Sequence, residues 1–210
     1  MAKIFVFLEF NDPEIKSFLS ELRHIISNGG NASDQVHITL RGPFKKARPK
    51  HMLESFEACL NDEPILISGV GRFYANEKCV VYLKVSSPYL KKVWYKPDYP
   101  IRKYGFNPHI TLYEGFRESG DKVYEFLLKE DISLLSFDYS VTQYFSKNMS
   151  LFSRSIQRYS EKDFRKLIVH SRIKSGILDR AKNLASELHL VSKPHLAKQQ
   201  ELWVVEQNRA

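Results

Sequence analysis

His37-Ile38-Thr39-Leu40 returns unchanged as His109-Ile110-Thr111-Leu112, 72 residues further along the chain. Four matching residues can arise by chance, so their flanks must repeat as well. They do. Before the first copy, Lys3–Phe10 is a near-continuous apolar run of the kind a buried strand carries. Asn11-Asp12-Pro13-Glu14 then opens a helix, with Asp12 placed to cap it and Pro13 at the first helical position. Ile15, Phe18, Leu19, Leu22, Ile25 and Ile26 keep the helical period, and Asn28-Gly29-Gly30 ends it. The His37 strand, a helix over Pro49–Leu60 with Met52, Leu53, Phe56 and Leu60 on one face, and a strand around Ile65–Tyr74 complete the first half.

The second half follows the same order. After a turn at Asn76-Glu77, Lys78–Val85 reads as a strand in which Val81, Leu83 and Val85 alternate. Ser87-Pro88 opens a short helix through Leu90, Val93 and Trp94. The His109 strand, a helix over about Asp121–Lys129 and a strand region from Ile132 to about Phe145 follow. Both halves therefore read β-α-β-α-β, giving an α+β core over residues 1–152 with lobes at about 1–75 and 76–152. A duplicated lobe places equivalent strands symmetrically about a shared cleft. Residues 153–210 have no counterpart. Ser160-Glu161-Lys162-Asp163 resembles a capping box, and Ile177, Leu178, Ala181, Leu184, Ala185 and Leu188 form an apolar helical face. This part is expected to be a helical extension docked on the core.

On a strand, residues i and i+2 share a face about 6.6–6.8 Å apart. His37 and Thr39 thus project together, as do His109 and Thr111, while their neighbours enter the core. Two imidazoles suit displacement at phosphorus: a neutral one takes a proton from the incoming oxygen and a protonated one gives a proton to the departing oxygen. Histidine supplies both forms near neutral pH. The threonine hydroxyls can donate to non-bridging phosphate oxygens. A lone His-Ile-Thr-Leu is only a β-branched strand with a structural histidine; the duplication is what makes it a site. No His, Asp, Glu or Cys grouping has metal-ligand spacing, so neither a metal nor another cofactor is expected.

The 210 residues are 43% hydrophobic and 27% charged, which excludes wholesale disorder. No apolar run reaches the ~18 residues of a membrane span, and the opening run is interrupted by Glu9 before any cleavage-site pattern. Cys59 and Cys79 form no framework, which points to a reducing, cytoplasmic setting. Net charge is +8, a balance that permits RNA or nucleotides as partners.

With Val36-His37-Ile38-Thr39-Leu40-Arg41-Gly42-Pro43-Phe44 and Asn107-Pro108-His109-Ile110-Thr111-Leu112-Tyr113, residues 3–150 resemble the 2H phosphoesterase superfamily. The likeness is greatest to its 2′-5′ RNA ligase-like, or RNA 2′,3′-cyclic phosphodiesterase, branch. The resemblance implies a bilobal fold of two antiparallel sheets flanking a cleft, with His37, Thr39, His109 and Thr111 as the catalytic quartet. It implies a metal-independent phosphodiesterase acting on 2′,3′-cyclic phosphate or 2′-5′ bonds of RNA ends or small nucleotides, with possible reverse ligation. Hydrolysis of cyclic or 2′-5′-linked signalling oligonucleotides is the alternative within that chemistry, and a non-catalytic RNA-binding module is the alternative outside it. Around the quartet, Arg41 can share the His37 face, Tyr113 can stack on a base, and Phe44 packs at the cleft edge. These three are the candidate substrate-binding residues. Lys45 and Lys46 read as a solvated loop, and Tyr104 and Phe106 as further aromatics flanking the second motif. Gly69-Val70-Gly71 reads as a bulge or turn in a strand. A monomer with no obligate protein partner and no membrane association is expected.

Overall fold

An apolar run with no clean alternation suits a strand covered on both faces, and Ile4–Phe10 is the central strand of its sheet. The computed structural model describes residues 4–27, 36–60, 63–93, 107–145 and 172–188. In chain order the elements are β1 (Ile4–Phe10), α1 (Pro13–Ile26), β2 (His37–Phe44), α2 (Lys50–Leu60), β3 (Ile65–Ala75), β4 (Lys78–Ser86) and α3 (Leu90–Val93). They continue with β5 (His109–Phe116), α4 (Arg117–Glu130), β6 (Ser133–Ser136), β7 (Tyr139–Phe145) and a helix α5 over 177–188. The chain is α+β with two antiparallel sheets, ordered β2-β1-β7 and β5-β4-β3-β6.

The local signals act as their chemistry dictates. Asp12 Oδ1 accepts from the Glu14 and Ile15 amides at 3.0 and 3.2 Å, so two otherwise orphaned donors at the start of α1 are satisfied, with Pro13 beside them. The face of Ile15, Phe18, Leu19, Leu22 and Ile26 is buried. Asn76, at φ +56°, turns the chain between β3 and β4. Between Ile67 and Val70 the register of β3 slips, with Gly69 at φ +81°, so the Gly69-Val70-Gly71 segment is a strand bulge.

Sheet membership departs from the halves read in the sequence. β3, the last strand of the first half, pairs with β4, and β7 returns to pair with β1 along its whole length. Each half thus supplies a strand to the other half's sheet. The region from Ile132 to Phe145 is two strands rather than one, broken at Phe137-Asp138. There the Asp138 carbonyl accepts from the Asn11 amide at 3.0 Å as the chain crosses to the first sheet. Helix α4 starts at Arg117, before the expected Asp121. Gly120 opposes a helix by propensity but lies against β4, where a Cβ would come 2.4 Å from the Cys79 Cβ. Close approach, not propensity, sets that first turn.

The described part of the extension docks on the outer edge of the second sheet, beside β6 and away from β5. Ser133 and Arg172 exchange backbone hydrogen bonds of 3.0 and 2.8 Å. Ile177, Ala181, Ala185 and Leu188 of α5 are buried. Arg180 donates through Nε and Nη2 to both oxygens of Glu130, at 2.8 and 2.6 Å. The expected capping box at Ser160 and the tail from Lys193 lie outside the described residues. No helix among the described residues is long and apolar enough to cross a membrane.

The Glu130 side chain is only 4% exposed and Arg180 is 44% exposed, so removing the arginine strands a buried carboxylate. Arg180→Ala is expected to lower stability by ~1–3 kcal/mol, toward the lower end because the arginine is half in water. A lowered urea midpoint at unchanged m-value is the measurement; an unmoved midpoint would show that apolar packing alone holds α5.

Candidate active site

The two repeated motifs stand on equivalent strands. β2 is the edge of the first sheet and β5 the edge of the second, each beside the first strand of its own half. These two edge strands touch one another. Within each motif, Ile38, Leu40, Ile110 and Leu112 are fully buried, while His37, Thr39, His109 and Thr111 are half-buried on the opposite face. The structure therefore presents two imidazoles and two hydroxyls from adjacent edges.

Each imidazole rests on an aromatic ring from the neighbouring strand. His37 stacks on Phe7, with centroids 3.9 Å apart and planes at 26°. His109 leans on Tyr82 at 4.7 Å and 48°. The positions correspond, because Phe7 pairs with Thr39 and Tyr82 pairs with Thr111. A second ring follows from the exchanged strand: Tyr144 of β7 lies 5.7 Å from Phe7, and Phe73 of β3 lies 5.9 Å from Tyr82. Gly71 makes room on β3, since a Cβ there would fall 2.3 Å from the Tyr82 ring. None of these supporting rings stood out in the sequence. Phe7 and Tyr82 sit 30 and 27 residues before their histidines, Phe73 sits 36 before His109 and Tyr144 sits 107 after His37; all read there as ordinary strand residues, and Phe7 and Tyr82 are buried.

Asn107 orients the second site twice. Its carbonyl lies 2.7 Å from His109 Nδ1, and its side-chain amide donates to the Tyr82 hydroxyl at 3.1 Å. With Nδ1–H donating to that carbonyl, Nε2 carries the lone pair. Burial lowers the His109 pKa below its ordinary value, outweighing the hydrogen bond to Asn107, which acts the other way.

The three candidate substrate-binding residues do not lie on the face of the quartet. In both halves the register shifts immediately after the threonine. Phe7 pairs with Thr39 but Val6 pairs with Arg41; Tyr82 pairs with Thr111 but Val81 pairs with Tyr113. One extra residue, Leu40 or Leu112, enters the strand, and the i+2 alternation ends there. Arg41 donates to the Val93 carbonyl at 3.3 Å and lies 5.4 Å from the Phe56 ring. Tyr113 joins the core, donates to the Phe116 carbonyl at 3.3 Å, and has its phenol pKa raised by burial. Phe44 is likewise a core residue, with the Arg48 guanidinium 3.8 Å above its ring. Gly42, between Arg41 and Phe44, adopts φ +118°, where a Cβ would sit 2.8 Å from the Ile4 carbonyl oxygen.

Lys45 and Lys46 are exposed, as are His24 and His51; Tyr104, Phe106, His170, His189 and His195 lie outside the described residues. No group of three or more His, Cys, Asp or Glu among the described residues is placed to hold a metal ion. No family model, curated protein or solved structure matches this chain.

A histidine kept neutral by burial adds stability in full above its unfolded pKa of about 6.5. That contribution is lost as pH falls through the unfolded value toward the depressed folded one. In an imidazole NMR titration His109 should titrate below about 6.5. Tyr82→Ala, which admits water to the ring, should bring it back up. A wild-type His109 titrating at or above that value would remove burial as the controlling influence.

Proposed function

We propose that the chain is a phosphodiesterase of the 2H phosphoesterase kind. It would open 2′,3′-cyclic phosphates or cleave 2′-5′ bonds of RNA ends or small nucleotides by two-histidine acid/base catalysis. The observation that carries this reading is that both His-x-Thr motifs occupy equivalent edge strands that lie side by side. A structural histidine would have no reason to recur at such a position with its threonine.

The surroundings divide the labour. His109, half-buried and with Nδ1–H held by Asn107, offers a neutral Nε2 and takes a proton from water as the water oxygen bonds to phosphorus. His37 gives a proton to the ribose oxygen as its bond to phosphorus breaks, leaving a phosphomonoester. Cross-strand register distinguishes the two imidazoles: the partner of His37 is Glu9, and the partner of His109 is Lys84. Side chains of such pairs stand about 4.5–5.5 Å apart at Cβ, so the two imidazoles face cross-strand neighbours of opposite formal charge. Glu9 also accepts from the Tyr144 hydroxyl at 3.1 Å. Thr39 and Thr111 would donate to the non-bridging oxygens as charge builds on them.

Assay against nucleoside 2′,3′-cyclic phosphates, RNA ends and 2′-5′ oligonucleotides tests the reading. His37→Ala and His109→Ala should each lower kcat by roughly 10²–10⁴-fold, with the double variant far from multiplicatively worse. The kcat profile should be bell-shaped, its acid limb set by protonation of His109 and its basic limb by deprotonation of His37. Near-normal turnover in either folded histidine variant would sink the mechanism.

A further inference from the structure

The two halves hold their second aromatic ring differently. Tyr144 is half-buried against Phe7 and its hydroxyl is tied to Glu9, so that ring belongs to the wall of the first site. Phe73 occupies the matching position in the second sheet, yet it has no hydroxyl to tether and is 42% exposed. Its ring stands edge-on to His109, with centroids 6.3 Å apart and planes at 81°. It shares the His109 face because it pairs with Val80, two residues before Tyr82 on β4. An open aromatic ring beside a phosphate-handling imidazole, at a span a ribose can bridge, is what a nucleotide needs.

From this placement we infer that Phe73 is the stacking platform for the nucleobase of the substrate. The base lies on the second sheet and its ribose reaches toward His109. The inference rests on the phosphodiesterase reading and deepens it: the substrate must carry an aromatic base, because the site recognises a ring face as well as a phosphate. Stacking is tolerant of base identity, since every base offers a π-face, so all four nucleotides are bound with modest preference. Tyr82, pinned by Asn107 over the space left by Gly71, holds the platform and the imidazole at a fixed spacing.

Calorimetric binding of adenosine 2′-monophosphate and of base-free glycerol 2-phosphate tests this on the full chain. Phe73→Ala should weaken the nucleotide about 5- to 150-fold, the usual worth of one base–aromatic stack, and glycerol 2-phosphate by less than about twofold. Phe73→Trp should keep nucleotide binding. Phe137→Ala, which removes a more exposed ring beyond β6 at the opposite edge of the sheet, should change neither. Equal loss of both ligands in Phe73→Ala, no loss of either, or a wild type that does not prefer the nucleotide overturns the inference. Turnover of adenosine 2′,3′-cyclic phosphate is read separately. Selective binding through Phe73 without turnover would leave the platform standing and remove the phosphodiesterase reading.

Discussion

Exchange of one strand between the halves is the constraint from which the rest of the architecture follows. β3 leaves the first half to pair with β4, and β7 comes back from the far end of the core to pair with β1. Each sheet then contains strands from both halves, so neither can form from one half of the chain alone. The exchange also fixes where the histidines go. With β1 and β4 each flanked on one side by an imported strand, β2 and β5 are left as edges. Edge strands carry unpaired backbone groups and are normally blunted or covered. Here the two edges meet each other, which brings two sets of side chains separated by 72 residues to one junction.

The shared face of each histidine and threonine was legible because a strand has a period of two, and that period holds as far as the threonine. It fails one residue later. The bulge that follows each motif is invisible in a single sequence: Leu40 and Leu112 look like any inward residue, and only the partner's register shows that they are extra. Extending the alternation placed Arg41 and Tyr113 on the His face, whereas the bulge turns both away. Recurrence of the shift at the same point in both halves argues that it is part of the design of the site. It bends each edge strand away immediately after its hydroxyl.

Other features divide along the same line between local and non-local causes. The Asp12 cap, the Asn76 turn, the Gly69 bulge and the apolar face of α5 depend on neighbours in sequence, and each was legible. The start of α4 was not, because Gly120 is tolerated there by contact with Cys79, a residue on another element. Nor were the rings behind the histidines. Phe7 lies in a run whose burial on both faces is real, and burial gave no hint that one of those faces would carry an imidazole. Phe73 was hidden for a related reason: its place beside His109 comes from β3 joining the other half's sheet, which no periodicity encodes.

The repeat makes the two histidines equal on paper, and the fold makes them unequal. An acid and a base must differ in proton affinity in the same site at the same pH. Symmetric duplication alone cannot supply that difference, because equivalent positions see equivalent surroundings. The difference has to come from residues that the duplication does not preserve, and they are the ones nearest the rings. Glu9 and Lys84 occupy matching places opposite the two imidazoles with opposite charge. Tyr144 and Phe73 occupy matching places on the exchanged strands, one bound to that carboxylate and one open to solvent. On the proposed reading, the first pair distinguishes the two imidazoles, and the second leaves room for a base beside only one of them. On that reading, a substrate seated on the second sheet would have its phosphate between the two imidazoles in one orientation, and the same asymmetry would set the polarity of the bond that is broken.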